Sequence, residues 1–260
     1  MPWQHQWSRK LNVDKLSVAG LLVAVFAIYI GFSLDGGHLS ALLELPAFII
    51  VFGGTLGAVM LQSSMQQFTH AISLLKWIFV PPLYDINRGI DEIVAWATKA
   101  RESGYLALED TALEIEDSYT QKGLNLLVDG IELDNFRATL ELDLDIYREH
   151  TLRSANVYEA MGGYSPTIGI LGAVLGLIHA MSNLTEPALL GQGIATAFIA
   201  TIYGVGFANL FYLPIANKIR TIVHQQTMYR EMVCEGLVAI ANGENPHAIE
   251  NKLSAFRLEQ

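Results

Sequence analysis

Four stretches of the chain, residues 16–34, 45–75, 160–185 and 187–217, contain no Asp, Glu, Lys or Arg. Each is long enough to cross a bilayer, which takes about 20 apolar residues at about 1.5 Å rise per residue. The pattern therefore predicts four transmembrane helices arranged as two hairpins. Between the hairpins the apolar positions recur at the spacing of an amphipathic helix. Ile86, Ile90, Ile93, Val94 and Ala97 form one stripe, with Gly104 placed to end it, and Leu124, Leu127, Val128 and Ile131 form another. From Leu133 to Met161 a long helix is expected to run into the third span, with Phe136, Leu140, Leu144 and Tyr147 on one face and Arg148, Glu149 and Arg153 elsewhere. Lys218 to Ala241 reads as a further helix, stopped by Asn242-Gly243-Glu244-Asn245-Pro246 before a short closing one. No strand pattern, tandem repeat or low-complexity tract competes. The expected fold is all-α, a polytopic membrane protein with four transmembrane helices and a helical cytoplasmic insert.

Charge gives the arrangement a direction. Hydrophobic residues make up 52% of the chain, yet its formal charge is −10, so the charge crowds into the segments between spans. Residues 81–159 alone hold 17 acidic and 7 basic side chains. The loops Asp35–Glu44 and Asn183–Gln192 carry no Lys or Arg, and all 16 basic residues lie in the other non-spanning segments. By the positive-inside rule both termini and the insert face the cytoplasm. The organisation is then a cytoplasmic N-terminus (1–15), a first transmembrane hairpin with an amphipathic continuation (16–80), a cytoplasmic helical domain (81–160), a second hairpin (161–217) and C-terminal cytoplasmic helices (218–260). The first span follows Arg9, Lys10 and Lys15 and ends at Leu34-Asp35 without a small-residue cleavage site, so it reads as a retained helix and not a signal peptide. Cys234 is the only cysteine, which excludes a disulfide framework and a cysteine metal cluster. There is no phosphate loop, zinc-ligand spacing or activated Ser or Cys, so the sequence points away from an enzyme.

The second hairpin carries the chemistry. Gly169, Gly172 and Gly176 in the third span, and Gly193, Ala197, Ala200, Gly204 and Ala208 in the fourth, place small residues on one helix face each, which allows close approach. Gly53, Gly54 and Gly57 of the second span read as ordinary bundle packing. Ser165, Thr167, His179, Thr196, Thr201, Tyr203 and Asn209 add more polarity than lipid-facing surfaces usually carry, so a buried or water-lined face is expected. An ion carrier needs a carboxylate within the membrane, and these spans have none. His179 lies near its helix end and reads as interfacial; Asp35 and Glu186 read as solvated loop charges. If ions pass along this protein, a partner supplies the acid. Pro166 and Pro214 are open to two readings, helix boundaries or hinges at matching membrane depth.

Six stretches stand out: Ala100-Arg-Glu-Ser-Gly-Tyr-Leu-Ala-Leu-Glu109, Gln121-Lys-Gly-Leu-Asn-Leu-Leu-Val-Asp-Gly130, Ser165-Pro-Thr-Ile-Gly-Ile-Leu-Gly-Ala-Val-Leu-Gly-Leu177, Ala200-Thr-Ile-Tyr-Gly204, Leu213-Pro-Ile-Ala-Asn-Lys218 and Gly243-Glu-Asn-Pro246. Together they resemble the MotA/PomA family of flagellar stator subunits, and the similarity covers nearly the whole chain. The resemblance implies a homo-oligomeric ring, a pentamer, in the bacterial inner membrane around a pair of single-span MotB/PomB-type partners whose transmembrane Asp binds the travelling ion. It implies that Pro166, Thr201 and Pro214 border the ion path. It also implies that Arg101 and Glu109, eight residues apart on the insert, meet the rotor switch protein FliG. Elementary electrostatics alone reads Arg101 as a cation near a helix C-terminus and Glu109 as an anion near the next helix start. Their spacing, with Gly104 between, is not that of an i,i+4 pair, so they need not satisfy each other.

Three positions depart from the family pattern. Sodium-driven members tend to have threonine seven residues after the third-span proline, where this chain has Ala173, which offers no oxygen to a cation; the coupling ion is expected to be the proton, and no other cofactor is expected. Gly163 stands where many members have an acid, so no role of that acid carries over. Glu102 stands where some relatives have a second basic residue. The rival readings are an ExbB/TolQ-like energy transducer, disfavoured by four spans, and a non-conducting membrane scaffold, disfavoured by the polar residues of the second hairpin.

Overall fold

The structure, a computed structural model, describes residues 14–37 and 39–259. Of the N-terminal segment assigned to residues 1–15, all but Asp14 and Lys15 lie outside the described residues, Arg9 and Lys10 included. Every regular element among the described residues is helical. In chain order they are α1 (Lys15–Leu34), α2 (Leu45–Phe48), α3 (Gly54–Gln62), α4 (Met65–Leu74), α5 (Lys76–Phe79), α6 (Ile86–Ser103), α7 (Glu109–Glu114), α8 (Ser118–Val128), α9 (Leu133–Ser182), α10 (Pro187–Phe207), α11 (Leu213–Ala241) and α12 (Pro246–Leu253). Two π-helical turns, Ile49–Gly53 and Ala208–Tyr212, join α2 to α3 and α10 to α11. Among the described residues four helices are long and apolar enough to cross a membrane: Lys15–Leu34, Leu45–Gln62, and those within Leu133–Ser182 and Pro187–Ala241.

The chain forms two compact units, residues 14–81 with 152–220 and residues 82–151 with 221–259, and α9 and α11 contribute to both. In the first unit α1 begins at Asp14, whose carboxylate accepts from the Leu16 and Ser17 amides at 3.0 and 3.2 Å. The charge-free stretch 45–75 is not one helix. Ser63 adopts an extended backbone after Gln62, and the Ser64 hydroxyl caps α4 by accepting from the Gln67 amide at 3.2 Å. The span therefore stops at Gln62 and an amphipathic helix follows. The Tyr158 hydroxyl donates to the Ala71 carbonyl at 2.8 Å and ties α4 to α9.

In the second unit Asp85 caps α6, Asp117 caps α8 and Asn245 caps α12. Gly104 ends α6 with φ +80°, a left-handed region open to glycine. The predicted stripes converge here: Ile86, Ile90, Ile93 and Ala97 of α6, Leu124 and Leu127 of α8, and Phe136, Leu140 and Leu144 of α9 pack with Met232, Leu237 and Leu253. Ile131 departs from its expected stripe and is exposed. A left-handed Gly130, whose amide donates to the Leu127 carbonyl, ends α8 and carries Ile131 off its face.

Candidate functional site

The small residues of the second hairpin meet each other. A Cβ on Gly169 would lie 2.9 Å from the Ala200 carbonyl oxygen, one on Gly176 2.7 Å from the Ala197 nitrogen, and one on Gly193 2.7 Å from the Ala180 nitrogen. Where no Cβ fits, the antiparallel helices α9 and α10 touch backbone to backbone. The Ser165 hydroxyl, fully buried, crosses this seam to donate to the Gly204 carbonyl at 3.0 Å.

That seam fixes what each side of the pair presents. Successive residues on an α-helix turn by about 100°, and in two antiparallel helices the residues that follow the contact positions turn to the same side. Pro166 follows Ser165, Ala173 follows Gly172 and Thr201 follows Ala200, so these three share one side of the α9/α10 pair. The other side is covered by the second span: Ile199 packs with Ala47 and Val51, Gly54 abuts Ile168, and the Tyr203 ring meets Phe48 edge-on at 6.2 Å. The side bearing Pro166, Ala173 and Thr201 has no such cover among the described residues. Thr201 is exposed there beside Phe198, itself 68% exposed, while Pro166 and Ala173 are half-buried. Thr201, Val205, Asn209 and Pro214 are all exposed, in steps of four, four and five. The longer last step crosses the π turn Ala208–Tyr212, in which the Leu213 amide donates to the Ala208 carbonyl five residues back. Pro214, lacking an amide hydrogen, follows that turn directly.

The polar residues do not line a single face. Thr201 donates to the Ala197 carbonyl at 3.2 Å, Thr167 to Tyr164 at 2.8 Å and Asn209 to Val205 at 2.9 Å, each within its own helix. Such bonds let a hydroxyl or amide sit in apolar surroundings. Thr196 and Tyr203 face the opposite side, and His179 is exposed in the last turn of α9.

In the second unit Arg101 lies in the last turn of α6 and Glu109 opens α7, joined by Gly104 and the 3₁₀ turn Tyr105–Leu108. Both are exposed, and among the described residues neither side chain makes a hydrogen bond or ion pair, to the other or to anything else.

Residues 111–232 match the MotA/TolQ/ExbB proton channel family and residues 18–97 the motility protein A N-terminal family. The chain is 33% identical to motility protein A of Helicobacter pylori over 93% of its length and 94% of that protein's, and 32% identical to chemotaxis protein PomA of Vibrio alginolyticus, covering 94% and 95%. Among solved structures it resembles MotAB of C. jejuni, with TM-score 0.88 at 29% identity over 94% of this chain and 95% of that one. It likewise resembles the flagellar MotAB stator complex of Bacillus subtilis, with TM-score 0.86 at 30% identity over 94% and 99%. The chain belongs to the MotA/PomA family of flagellar motor stator subunits.

Two features of this stator subunit escaped the sequence reading. The loop before the second span is pinned to α10 through Glu44: its carboxylate accepts from the Thr196 hydroxyl at 2.9 Å, its amide donates to the Tyr203 hydroxyl at 3.3 Å, and that hydroxyl donates to the Leu42 carbonyl. The polar pair Thr196 and Tyr203, seven residues apart, was the available signal, but nothing local named their partner. In the second unit Arg230 of α11 is buried. Its guanidinium sits 4.2 Å over the Tyr147 ring and 5.3 Å over Tyr119, and donates to Asp117 at 3.1 Å. Tyr147 in turn donates to Gln226 at 2.6 Å. Burial holds the Tyr147 and Tyr119 hydroxyls above their ordinary titration range.

Proposed function

We propose that this subunit assembles as a ring of five copies around a pair of single-span MotB/PomB-type partners in the bacterial inner membrane, with both termini in the cytoplasm. Proton passage past the partner's Asp turns the ring against the partners, and Arg101 and Glu109 pass that motion to FliG. The observation that carries the reading is the uncovered side of the α9/α10 pair, where Pro166, Ala173 and Thr201 stand together and Pro214 continues the stripe. The likeness of the chain to chains of two MotAB structures supports a MotB-type partner. The absence of any Asp or Glu in residues 160–185 and 187–217 supports an ion-binding carboxylate on that partner.

Ala173 supports the proton, since its methyl offers no ligand to sodium. A transmembrane potential supplies about 2.3 kcal/mol per charge per 100 mV, so many small steps drive the ring rather than one large stroke. The subunit thus works by ion coupling and packing changes, without making or breaking covalent bonds.

Swimming speed of cells that depend on this protein is the test, with the proton and sodium gradients collapsed separately. Loss of swimming on proton collapse alone is expected; loss on sodium collapse alone would keep the stator role and overturn the choice of ion. Thr201→Val and Pro166→Leu are expected to abolish swimming while the complex still purifies intact. Normal swimming in both variants would remove the uncovered side from the ion path.

A further inference from the structure

The element that carries Glu109 presents more than charge. Leu108, closing the 3₁₀ turn, and Ala112 of α7 are both 0% exposed and anchored in the core of the second unit. The residues around them point outward, and two are leucines: Leu106 is 73% exposed and Leu113 74%. Glu109 and Asp110, between them in sequence, are exposed as well, so the outer face runs apolar, acidic, apolar. Arg101 and Glu102 are exposed on the other side of Gly104. None of the side chains of Arg101, Glu102, Glu109 or Asp110 has a hydrogen bond or ion pair among the described residues, whereas nearby Lys99 is engaged, donating to the Thr111 hydroxyl at 2.9 Å. Single exposed leucines are ordinary. Two of them bracketing unpaired carboxylates on one short element are the composition of a contact surface, an apolar patch with charged neighbours.

We infer that Leu106 and Leu113 are the apolar part of the rotor contact, and that what covers them is a helix of the rotor partner bringing a cation between two apolar residues. The inference rests on the proposed role of Arg101 and Glu109. Charge selects the occupant: four acids, Glu102, Glu109, Asp110 and Glu114, face outward against two cations, Arg101 and Lys99, so the patch is acidic overall and fits a basic amphipathic helix. An isologous contact with a second copy would set acid against acid. Physics also calls for the leucines. Exposed ion pairs in water are weak and screened by salt, too weak alone to carry load. Apolar side chains that close over such a pair exclude water and strengthen its field, while the small area still lets the contact release at each step.

The test uses the full complex carrying Leu106→Ser with Leu113→Ser, alongside Arg101→Glu and Glu109→Lys. Because both leucines are exposed, serine leaves no cavity. The expected result is swimming speed reduced to about half or less, as loss of an interface anchor gives, with unchanged complex size in detergent and unchanged proton uptake by vesicles containing the complex. Methionine at both positions is expected to restore speed. If the serine variant swims normally while the charge variants are crippled, the leucines are not part of the contact and the rotor reading stands. If serine and charge variants all swim normally, the rotor reading fails with it. A smaller complex from the serine variant would overturn the inference in favour of a contact between copies of this chain.

Discussion

In the membrane unit α9 and α10 meet through Gly169, Gly172, Gly176, Gly193 and Gly204, whereas in the second unit α6, α8 and α11 meet through Ile90, Ile93, Leu124, Met232 and Leu237. The membrane unit leaves many of its large apolar residues outside, Phe26, Leu171 and Phe198 among them; the second unit buries most of its own, with Leu83, Leu106, Leu113, Leu142 and Ile146 among the exceptions. The contrast follows the solvent. In water each Å² of apolar surface removed is worth about 25 cal/mol, so large side chains go inward. In lipid that gain vanishes, and helices are held by close backbone packing and by a few hydrogen bonds such as Ser165 to Gly204. Glycines occur in both units, but they meet different things. A Cβ on Gly176 would strike backbone atoms of Ala197 and Gly193, while one on Gly123 would strike the terminal methyl of Leu237 at 2.4 Å.

The sharpest way to break this contrast is to give both glycines a side chain. Gly176→Leu is expected to prevent assembly, because overpacking against backbone exceeds the about 1–3 kcal/mol usual where side chains can move aside. The yield of intact complex from membranes measures it. Gly123→Ala should cost only about 1–2 kcal/mol, since Leu237 can shift, and should appear as a modest fall in melting temperature of an assembled complex. Normal yield from Gly176→Leu would mean that α9 and α10 are not held through the glycine seam.

Next in size is Arg230. Its side chain is 9% exposed and Asp117's is 29%, so Arg230→Ala leaves a half-buried carboxylate and two tyrosine rings without their cation. We expect a loss of about 2–3 kcal/mol, between the exposed and buried limits for ion pairs. Asp117→Asn keeps the helix cap and removes only the charge, so it should lose less; equal losses would mean that the Arg230–Asp117 charge pair, and not the tyrosine rings, accounts for the whole effect of Arg230. Nothing comparable exists in the α9/α10 seam, which has no charge to remove.

The same contrast explains what could be read from the sequence. The spans, the stripes Ile86–Ile90–Ile93 and Phe136–Leu140–Leu144, and the small faces were legible because each is a local periodicity. Pro166, Ala173 and Thr201 could be named from resemblance, but their common side emerges only once Gly172 is seen against Ala200. The break at Ser63 was hidden because a charge-free stretch does not announce a helix end. Glu44 and Arg230 were missed because their partners, Thr196 and Asp117, lie 152 and 113 residues away in sequence. The exposure of Leu106 and Leu113 was hidden for the same reason, since only the burial of Leu108 and Ala112 turns their face outward.

The smallest expected effect concerns Glu235. Arg137 donates to it at 2.6 Å and Lys252 stands 3.0 Å away, and the Arg137 hydrogen bond foremost holds its carboxyl below the usual 4.5. A carboxyl depressed in the folded state stabilises that state fully at pH above its unfolded value and loses the contribution as pH falls through the lower folded value. Glu235→Gln should therefore cost about 0.5–1 kcal/mol near neutrality, since the pair is partly exposed and screened. The difference should shrink as pH falls below 4.5 and when salt is raised. Melting curves of both complexes across that range decide it. In the membrane unit Asp14, drawn down to about 2 by its hydrogen bond to Lys218 with help from Ser17, obeys the same rule at the start of α1. Asp14→Asn keeps a capping oxygen, so its cost too should be the ion pair's alone and should fade as pH drops from the ordinary value of 3.8 toward 2. A cost that stayed constant with pH in either variant would assign the residue to packing, and would remove charge pairing from the forces that distinguish the water-facing parts of the chain from the glycine seam.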